Sequence, residues 1–218
     1  MDLLIATSNP GKVEELQRLL EPLGARLRTL AEYPNVSDVA EDAPTFEENA
    51  IAKARYYCAE TGLPTIADDG GLEIDALNGW PGVHSRRLFG DGRRATDEEM
   101  ISEVLRRMEG LPPARRGCQM RSVVAFVTPM PAGALAKAGE GIVLTGGGKD
   151  RGTIVEQASV GRVPGFPFRS IFFHPEQGMT TVDAAASGAA AEDVMTHRRD
   201  AVRTLLPQLQ KWAYTARV

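Results

Sequence analysis

Cysteine, membrane-spanning segments and targeting signals are scarce or missing in this sequence. Its only two cysteines, Cys58 and Cys118, stand far apart and without metal-ligand spacing. They predict reduced thiols in a cytoplasmic protein, with one long-range disulfide as the alternative. The start of the chain shows no basic segment followed by a long apolar region, so no signal peptide is expected. No apolar run approaches the length of a bilayer, so we expect no membrane association.

An excess of positive charge is also missing. The chain has 25 Lys and Arg against 29 Asp and Glu, a net charge of −4, which disfavours nucleic acid as a partner. A small anion in a local basic pocket remains compatible with this balance. The 218 residues, 43% of them hydrophobic, suit one globular domain covering residues 1–218. No internal repeat or interdomain linker is visible.

The first motif is a small polar loop between a predicted strand, Leu3–Ala6, and a predicted helix. Backbone N–H groups and a helix N-terminus at such a loop favour an anion, and a lysine adds positive charge. The alternative is an ordinary helix start with a serine or asparagine cap. It is not a P-loop, because Val13 stands where Ser or Thr is needed. The loop residues are Thr7, Ser8, Asn9, Pro10, Gly11 and Lys12.

The second motif is the stretch Thr65–Leu72, which predicts a short buried strand that ends in Asp68 and Asp69. Adjacent carboxylates at a strand end are costly to ionise together and suit a metal-assisted or general-base site. Gly70 and Gly71 would let the backbone turn sharply beside a ligand. The alternative is a polar turn, since Asp-Asp-Gly is common turn chemistry.

Capping boxes at Thr45 and Thr96 predict two helices, and residues 117–128 predict a strand. Asn49 and Lys53 lie on one face of the first helix, a pattern that usually marks a solvated face. Two further strands, 134–145 and 151–157, are predicted, joined by a hairpin turn at the triple glycine 146–148.

Near the C-terminus, residues 183–191 are nearly all Ala, Gly and Ser and predict a mobile surface segment. Thr196 is predicted to cap the last helix, which Pro207 should kink or interrupt. His197 and Arg198 then lie in its first turn. Cations are disfavoured there, so an anionic or carbonyl-bearing ligand would give a reason for their presence.

Several of these motifs recur together in one known family. The matching stretches are Ala6–Lys12, Glu41, Thr45–Ala54, Ala67–Leu72, Pro81–Val83 and Thr196–Arg198. In this order and spacing they resemble the inosine triphosphate pyrophosphatase family, also called the non-canonical purine nucleoside triphosphate pyrophosphatases. The resemblance is dense through about residue 90 and only general in the C-terminal third.

The resemblance implies an α/β fold with a long mixed β-sheet, flanking helices and two lobes around a central cleft. It also implies a homodimer. The implied reaction is Mg²⁺-dependent hydrolysis of deaminated purine nucleoside triphosphates, such as those of inosine and xanthosine, to monophosphate and pyrophosphate.

By the same resemblance, Asp69 is the general base, and Glu41 and Asp69 hold Mg²⁺ with Asp68 close by. The loop from Thr7 to Lys12 is implied to cradle the phosphates. The remaining substrate-binding residues implied are Lys53, Gly70, Phe166, Arg169, His197 and Arg198, with Phe166 packing on the base and the last two reading its polar edge. Arg198 can only donate, so it favours a 6-oxo purine over adenine.

Three positions depart from the family pattern. Gly70 replaces a usual Ser, Arg169 a usual Asp, and Glu192 a usual Lys. The last two changes exchange an acid for a base and a base for an acid. They either preserve an ion pair with opposite polarity or are independent drift. The alternatives to the family activity are therefore a pyrophosphatase with a shifted base preference and a non-catalytic nucleotide-binding protein.

Overall fold

The computed structural model describes residues 1–90, 93–129, 141–189, 194 and 196–215. The chain begins with a parallel strand pair, β1 (Asp2–Ile5) and β2 (Arg26–Thr29), in which Asp2 pairs with Arg26. Helix α1 (Pro10–Leu20) connects them and buries Leu16 and Leu20. The predicted order of strand, polar loop and helix is confirmed.

Helix α2 (Phe46–Thr61) begins at the predicted cap, because the Thr45 side chain accepts a hydrogen bond from the Glu48 N–H. It ends at Gly62, whose φ of 69° is the left-handed conformation that glycine adopts readily. Helix α3 (Asp97–Arg107) has the capping box predicted at Thr96. These local signals placed both helix starts because they depend on neighbouring residues only.

Strand β3 (Thr65–Ile74) contains both aspartates and both glycines. The prediction that the strand ends at Asp68 and Asp69 was wrong, and so was the sharp turn at Gly70 and Gly71, neither of which has a positive φ. The sheet order places β3 between β1 and the later strand β4 (Gly117–Val127). As part of this sheet, the extended backbone continues through residues that favour turns in isolation.

Strand β5 (Val143–Ile154) runs without interruption through the triple glycine, so the predicted hairpin at 146–148 was wrong. Most of the strand predicted at 134–145 lies outside the described residues. At Gly146 a β-carbon would lie 2.3 Å from the Ala201 carbonyl oxygen and 2.8 Å from the Leu205 Cγ. The glycine therefore serves a close approach of the last helix rather than a turn.

We expect Gly146→Ala to lower the free energy of unfolding by about 1–3 kcal/mol, because the added methyl group meets backbone atoms that cannot move easily. Gly147→Ala is the matched control, since its β-carbon would have its nearest neighbour, the Ser122 carbonyl oxygen, at 4.0 Å. The control should change stability by less than about 1 kcal/mol. Urea denaturation of both variants tests this, and equal losses would contradict it.

The remaining strands are β6 (Phe172–His174) and β7 (Met179–Thr180), and the short helix α4 (Thr181–Ala186) follows them. The segment predicted as mobile and on the surface, 183–191, begins in this helix, where the Thr180 side chain accepts from the Asp183 N–H, and residues 185–189 are exposed. Its mobility stays a prediction. Its last two residues lie outside the described residues.

The last helix, α5 (Thr196–Thr215), continues through Pro207, so of the predicted kink or interruption the second was wrong and the first stays a prediction. Proline removes one helical hydrogen bond, but Leu205 and Leu209 on either side of it are fully buried and fix the helix to the core. In the described ranges, no helix is both long and apolar enough to cross a membrane.

The seven strands form one sheet in the order β2-β1-β3-β4-β5-β6-β7. β1 pairs in parallel with β2 and β3, whereas β6 pairs antiparallel with β5 and β7. The sheet is therefore mixed and has flanking helices, which confirms the predicted α/β class. An open mixed sheet of this size is common among α/β folds.

The chain divides into two compact units. The first unit consists of Met1–Asp69, Ser122–Gly147 and Arg198–Val218, and the second of Gly70–Arg121 and Gly148–His197. Each has its own buried apolar cluster. Fully buried members in the first unit include Leu3, Ile5, Leu16, Ile66, Phe126 and Leu205, and those in the second include Leu72, Ile74, Val104, Met108, Cys118 and Ile171. Cys58 and Cys118 are both free, buried thiols.

Candidate functional site

In the first unit, Asp68 lies at the centre of a buried ion-pair network. Its carboxylate is 0% exposed, and Oδ2 lies 3.0 Å from both the Lys12 Nζ and the Arg198 Nε. Arg198 also donates through Nη1 to Glu15. Oδ1 of Asp68 is buried and has no hydrogen-bond partner among the described residues. A buried carboxylate oxygen without a donor is costly, so this oxygen is suited to a ligand.

Burial alone would raise the pKa of Asp68, but the positive charges of Lys12, Arg198 and Lys53 outweigh it and hold this pKa far below its usual range. Burial lowers the pKa of Lys12, even though Asp68 opposes that shift. Asp68 is therefore ionised at any physiological pH and acts as a fixed negative charge. A carboxylate with such a low pKa accepts a proton poorly, so Asp68 is a weak candidate for the general base.

Asp69 has different surroundings. Its Oδ1 lies 3.7 Å from the Lys53 Nζ, which donates a short hydrogen bond to Glu41. Burial raises the pKa of Asp69, and the negative charges of Glu41 and Asp68 add to this against the two lysines. The two neighbouring aspartates thus have pKa shifts of opposite sign. Of the two, Asp69 is the better proton acceptor near neutral pH, and its role as the general base stays a prediction.

Lys53 and Asn49 lie on a polar face of α2 that is buried, and not the solvated face that such a pattern usually marks. Asn49 is buried, accepts a hydrogen bond from the Ala43 N–H at 3.0 Å and donates to the Ala43 carbonyl at 3.4 Å. Lys53 is also buried, and its acidic neighbours raise its pKa although burial opposes this. This polar face of α2 holds the segment that carries Glu41.

The loop from Thr7 to Lys12 has the geometry of a capped helix start. The Asn9 Oδ1 accepts hydrogen bonds from the Gly11 N–H at 3.0 Å and the Lys12 N–H at 3.4 Å, and Pro10 is the first helical residue. The capping interpretation is therefore correct, and it uses two of the N–H donors considered for an anion. Lys12 is the residue of this loop that carries a positive charge, and its Nζ lies next to Asp68. For all the loop residues from Thr7 to Lys12, phosphate binding stays a prediction.

In the second unit, Phe166 and Arg169 form a stacked pair. The Arg169 guanidinium carbon lies 3.7 Å from the centre of the largely buried Phe166 ring. Phe166 was predicted to pack on a base, and one of its ring faces is covered by this guanidinium. The ion pair between Arg169 and Glu192 stays a prediction, because Glu192 lies outside the described residues. Gly70 lies within β3 in this unit, and its role in binding also stays a prediction.

The backbone next to this pair is held by two side chains that the sequence analysis did not single out. Arg86 donates to the Gly165 carbonyl at 3.0 Å, and Asp97 accepts from the Gly165 N–H at 2.7 Å. Arg86 and Asp97 are themselves paired at 2.6 Å. Gly165 has a φ of 80°, so the turn before Phe166 needs a glycine. No sequence signal connects residues 86 and 97 to residue 165.

His197 is 2% exposed and is bound to Asp150, which the sequence analysis also missed. The Asp150 Oδ2 accepts hydrogen bonds from the Thr196 N–H at 2.9 Å and the His197 N–H at 3.0 Å, and lies 3.0 Å from the His197 Nδ1. The prediction of Thr196 as the cap was wrong. Thr196 is the first residue of α5, and an acid from β5 accepts hydrogen bonds from the N–H groups of the first turn.

The donor atoms of the site decide whether it fits a Mg²⁺ ion. No group of three or more His, Cys, Asp or Glu able to hold a metal occurs among the residues that the structure describes. Mg²⁺ needs only one or two carboxylates when substrate phosphates and water supply the other ligands. Glu41 and Asp69, with the unpartnered Asp68 Oδ1, provide hard oxygen donors of that kind. The residues therefore fit a Mg²⁺ ion that binds together with a phosphate ligand.

Known proteins resemble the chain over nearly its whole length. It is 37% identical over 211 residues to the dITP/XTP pyrophosphatase of Vibrio parahaemolyticus, covering 95% of this chain and 96% of the relative. It is 42% identical over 206 residues to the dITP/XTP pyrophosphatase of Thermus thermophilus, covering 94% and 90%. The structure of a HAM1 protein from Coxiella burnetii matches with a TM-score of 0.77 at 31% identity, covering 97% of this chain and 99% of that one.

The Ham1 family model matches residues 3–208, a range that includes every candidate residue named above. The family resemblance inferred from the sequence motifs is thereby confirmed. The chain belongs to the Ham1 family.

Proposed function

We propose that this protein is a nucleoside triphosphate pyrophosphatase that hydrolyses non-canonical purine nucleotides, such as those of inosine and xanthosine, to monophosphate and pyrophosphate. Relatives named dITP/XTP pyrophosphatase, at 34–42% identity, support this reaction class. The observation that carries the proposal is the charge network around Asp68 and Asp69.

This network is nearly neutral. Its positive side chains are Lys12, Lys53 and Arg198, and its negative ones are Glu15, Glu41, Asp68 and Asp69, so three charges of one sign face four of the other. The formal sum of −1 repels a triphosphate unless a cation binds with it. A divalent cation reverses the sign of the sum and leaves the lysines able to contact phosphate oxygens. The charges thus favour binding of a nucleotide with its metal ion over binding of a nucleotide alone.

Each residue of the network has a proposed role. When bound, Mg²⁺ would neutralise phosphate charge and lower the pKa of a coordinated water. Glu41 and Asp69 would hold the ion, with Asp68 close by. Asp69 would accept the proton of the attacking water, since its raised pKa brings it nearer to neutrality than an ordinary aspartate. Lys12 and Lys53 would bind and orient the phosphates.

A second set of residues would recognise the base. Phe166 offers an aromatic face for a planar purine, and Arg169 adds a charge stacked on its other face. Arg198 donates hydrogen bonds only, which suits the 6-oxo group of hypoxanthine or xanthine and not the amino group of adenine. His197 is proposed to contact the polar edge of the base. Homodimer formation and a cytoplasmic location are part of the same proposal.

A shifted base preference is the second candidate function. The motivating observation is Arg169, which stands where the family pattern usually has an acid and stacks on the residue proposed to hold the base. A guanidinium attracts electron-rich carbonyl groups, so another carbonyl-bearing base could be favoured. Hydrolysis would follow the same steps with either base.

The test is a panel of nucleoside triphosphates incubated with the purified protein and Mg²⁺, with release of pyrophosphate and monophosphate measured for each. We expect inosine and xanthosine triphosphates to be hydrolysed with a kcat/KM at least about 100-fold above that of ATP, since a site built to hydrogen-bond a substrate group can discriminate by up to about 10⁴–10⁵. Preference for another base would support the second candidate. Binding without release from any nucleotide would contradict the enzymatic proposal.

A further inference from the structure

Asp150 makes an unusually complete set of contacts for one carboxylate on a central strand. Oδ2 accepts from the backbone N–H groups of Thr196 and His197 and lies 3.0 Å from the His197 Nδ1, while Oδ1 accepts from the Thr196 hydroxyl. The Asp150 side chain is 11% exposed, and His197 is almost completely buried. Two backbone donors fix the carboxylate, so the third contact fixes the imidazole ring.

The protonation of this pair follows from its contacts. Burial would raise the pKa of Asp150, but the hydrogen bonds that it accepts from His197 and from the N–H of Thr196 outweigh burial and lower that pKa. The carboxylate is therefore ionised and can only accept hydrogen bonds. Because the His197 Nδ1 faces an acceptor, Nδ1 must carry a proton. In the neutral imidazole, Nε2 is then the acceptor.

The geometry points to Asp150 as a positioning residue that holds His197 in the tautomer whose Nε2 accepts a hydrogen bond from a purine base. This inference deepens the proposed function and rests on it. A 6-oxo purine carries a hydrogen on ring nitrogen N1, whereas N1 of adenine is a bare acceptor. An accepting Nε2 therefore favours a 6-oxo purine and leaves adenine with two acceptors facing each other.

The same tautomer complements Arg198. Arg198 is a donor suited to the 6-oxo group, and His197 in this form is an acceptor suited to the neighbouring N1–H. Each of the two groups suits hypoxanthine and opposes adenine. Guanine shares both groups with hypoxanthine, so its rejection must come from another contact.

The first test reads the tautomer directly. The chain has only three histidines, so long-range proton–nitrogen NMR correlations of protein labelled at the histidine ring nitrogens can be assigned with one variant each. At alkaline pH, where imidazole is neutral, we expect the His197 Nδ1 to be protonated and Nε2 to be bare. The exposed His84 serves as the solvent-averaged reference. A His197 with its proton on Nε2 would overturn the inference whatever the enzyme hydrolyses.

The second test connects the tautomer to specificity. We expect Asp150→Ala to remove the single tautomer and to lower the ratio of kcat/KM for inosine triphosphate over ATP by about tenfold, the size of one hydrogen bond to a polar partner. Asp150→Asn should recover most of the ratio, because two backbone N–H groups hold the amide oxygen in the place of Oδ2. Asp75→Asn is the control, since it removes a carboxylate that pairs with the exposed neighbour Arg151.

If Asp150 only caps the helix, its variants should change kcat/KM in a different way. In that case Asp150→Ala would lower kcat/KM for all nucleotides by the same factor and leave the ratio unchanged, and this result would overturn the inference. If Asp150→Ala does not fold, the inference is tested by the NMR spectrum of the wild type and by the ratio of kcat/KM for inosine triphosphate over ATP in Asp150→Asn. If the wild type hydrolyses no nucleotide, the proposed function fails, and the NMR result still decides the tautomer.

Discussion

Replacement of Asp69 by asparagine should reduce the kcat for pyrophosphate release by a factor of about 10²–10⁴, the usual contribution of a general base. Asparagine keeps the size of the side chain but cannot take a proton from water. Asp69 is the aspartate of the pair whose pKa is raised, because it is buried and lies near Glu41 and Asp68. Lys53 keeps its pairing with Glu41 in the variant, so the thermal unfolding temperature should change little.

Two controls separate the possible roles of Asp69. If it acts only by holding Mg²⁺, a higher Mg²⁺ concentration should restore the rate of Asp69→Asn, whereas loss of a base is not restored by metal. Glu73→Gln removes a carboxylate that is also on β3 and is paired at 3.7 Å with Arg121, and should leave kcat within about twofold. Residual activity of Asp69→Asn near that of the wild type would remove the assignment of the base.

The parts of the fold that the sequence predicted correctly are those set by local interactions. The caps at Thr45 and Thr96 locate α2 and α3 because the side chain binds an N–H three residues away. The apolar residues of β4 likewise need no distant partner to indicate a strand. Such signals are complete within a window of a few residues.

The parts that the sequence did not predict depend on distant partners. Gly70 and Gly71 favour a turn in isolation, yet β3 continues through them as part of the seven-stranded sheet. Gly146 appeared as part of a hairpin turn and instead lies under Ala201 and Leu205, more than fifty residues later in the chain. Composition cannot distinguish a glycine needed for a turn from one needed for close packing.

The same distinction applies to the candidate site. The sequence singled out both aspartates and Lys12 as candidates because these lie in motifs of adjacent residues, whereas Lys53 was named only through the family resemblance. It did not identify Asp150, although cations at the start of α5 indicated that an anionic group must lie nearby. A ligand was predicted for that role, and the protein supplies an acid from β5 at the His197 end of the helix. Pairing between distant elements has no signature in a single sequence.

Removal of the other aspartate should affect stability. We expect Asp68→Ala to lower the free energy of unfolding by about 3–5 kcal/mol, because Lys12 and Arg198 would remain buried without the charge that both contact at 3.0 Å. This is a large fraction of the total stability of a typical domain. Asp68→Asn should lose less, since its oxygen still accepts from both cations. Urea denaturation of the three proteins at neutral pH measures the differences.

The expected loss for Asp68→Ala is large because its partners are buried. An exposed ion pair serves as the control. Asp75 and Arg151 are 2.5 Å apart, but their side chains are 52% and 56% exposed. Asp75→Ala should therefore cost less than about 1 kcal/mol, although that pair is shorter. The double variant Asp68→Ala with Lys12→Met should recover part of the loss, because one buried cation then needs no partner. A loss for Asp68→Ala as small as that for Asp75→Ala would show that the buried network does not stabilise the fold.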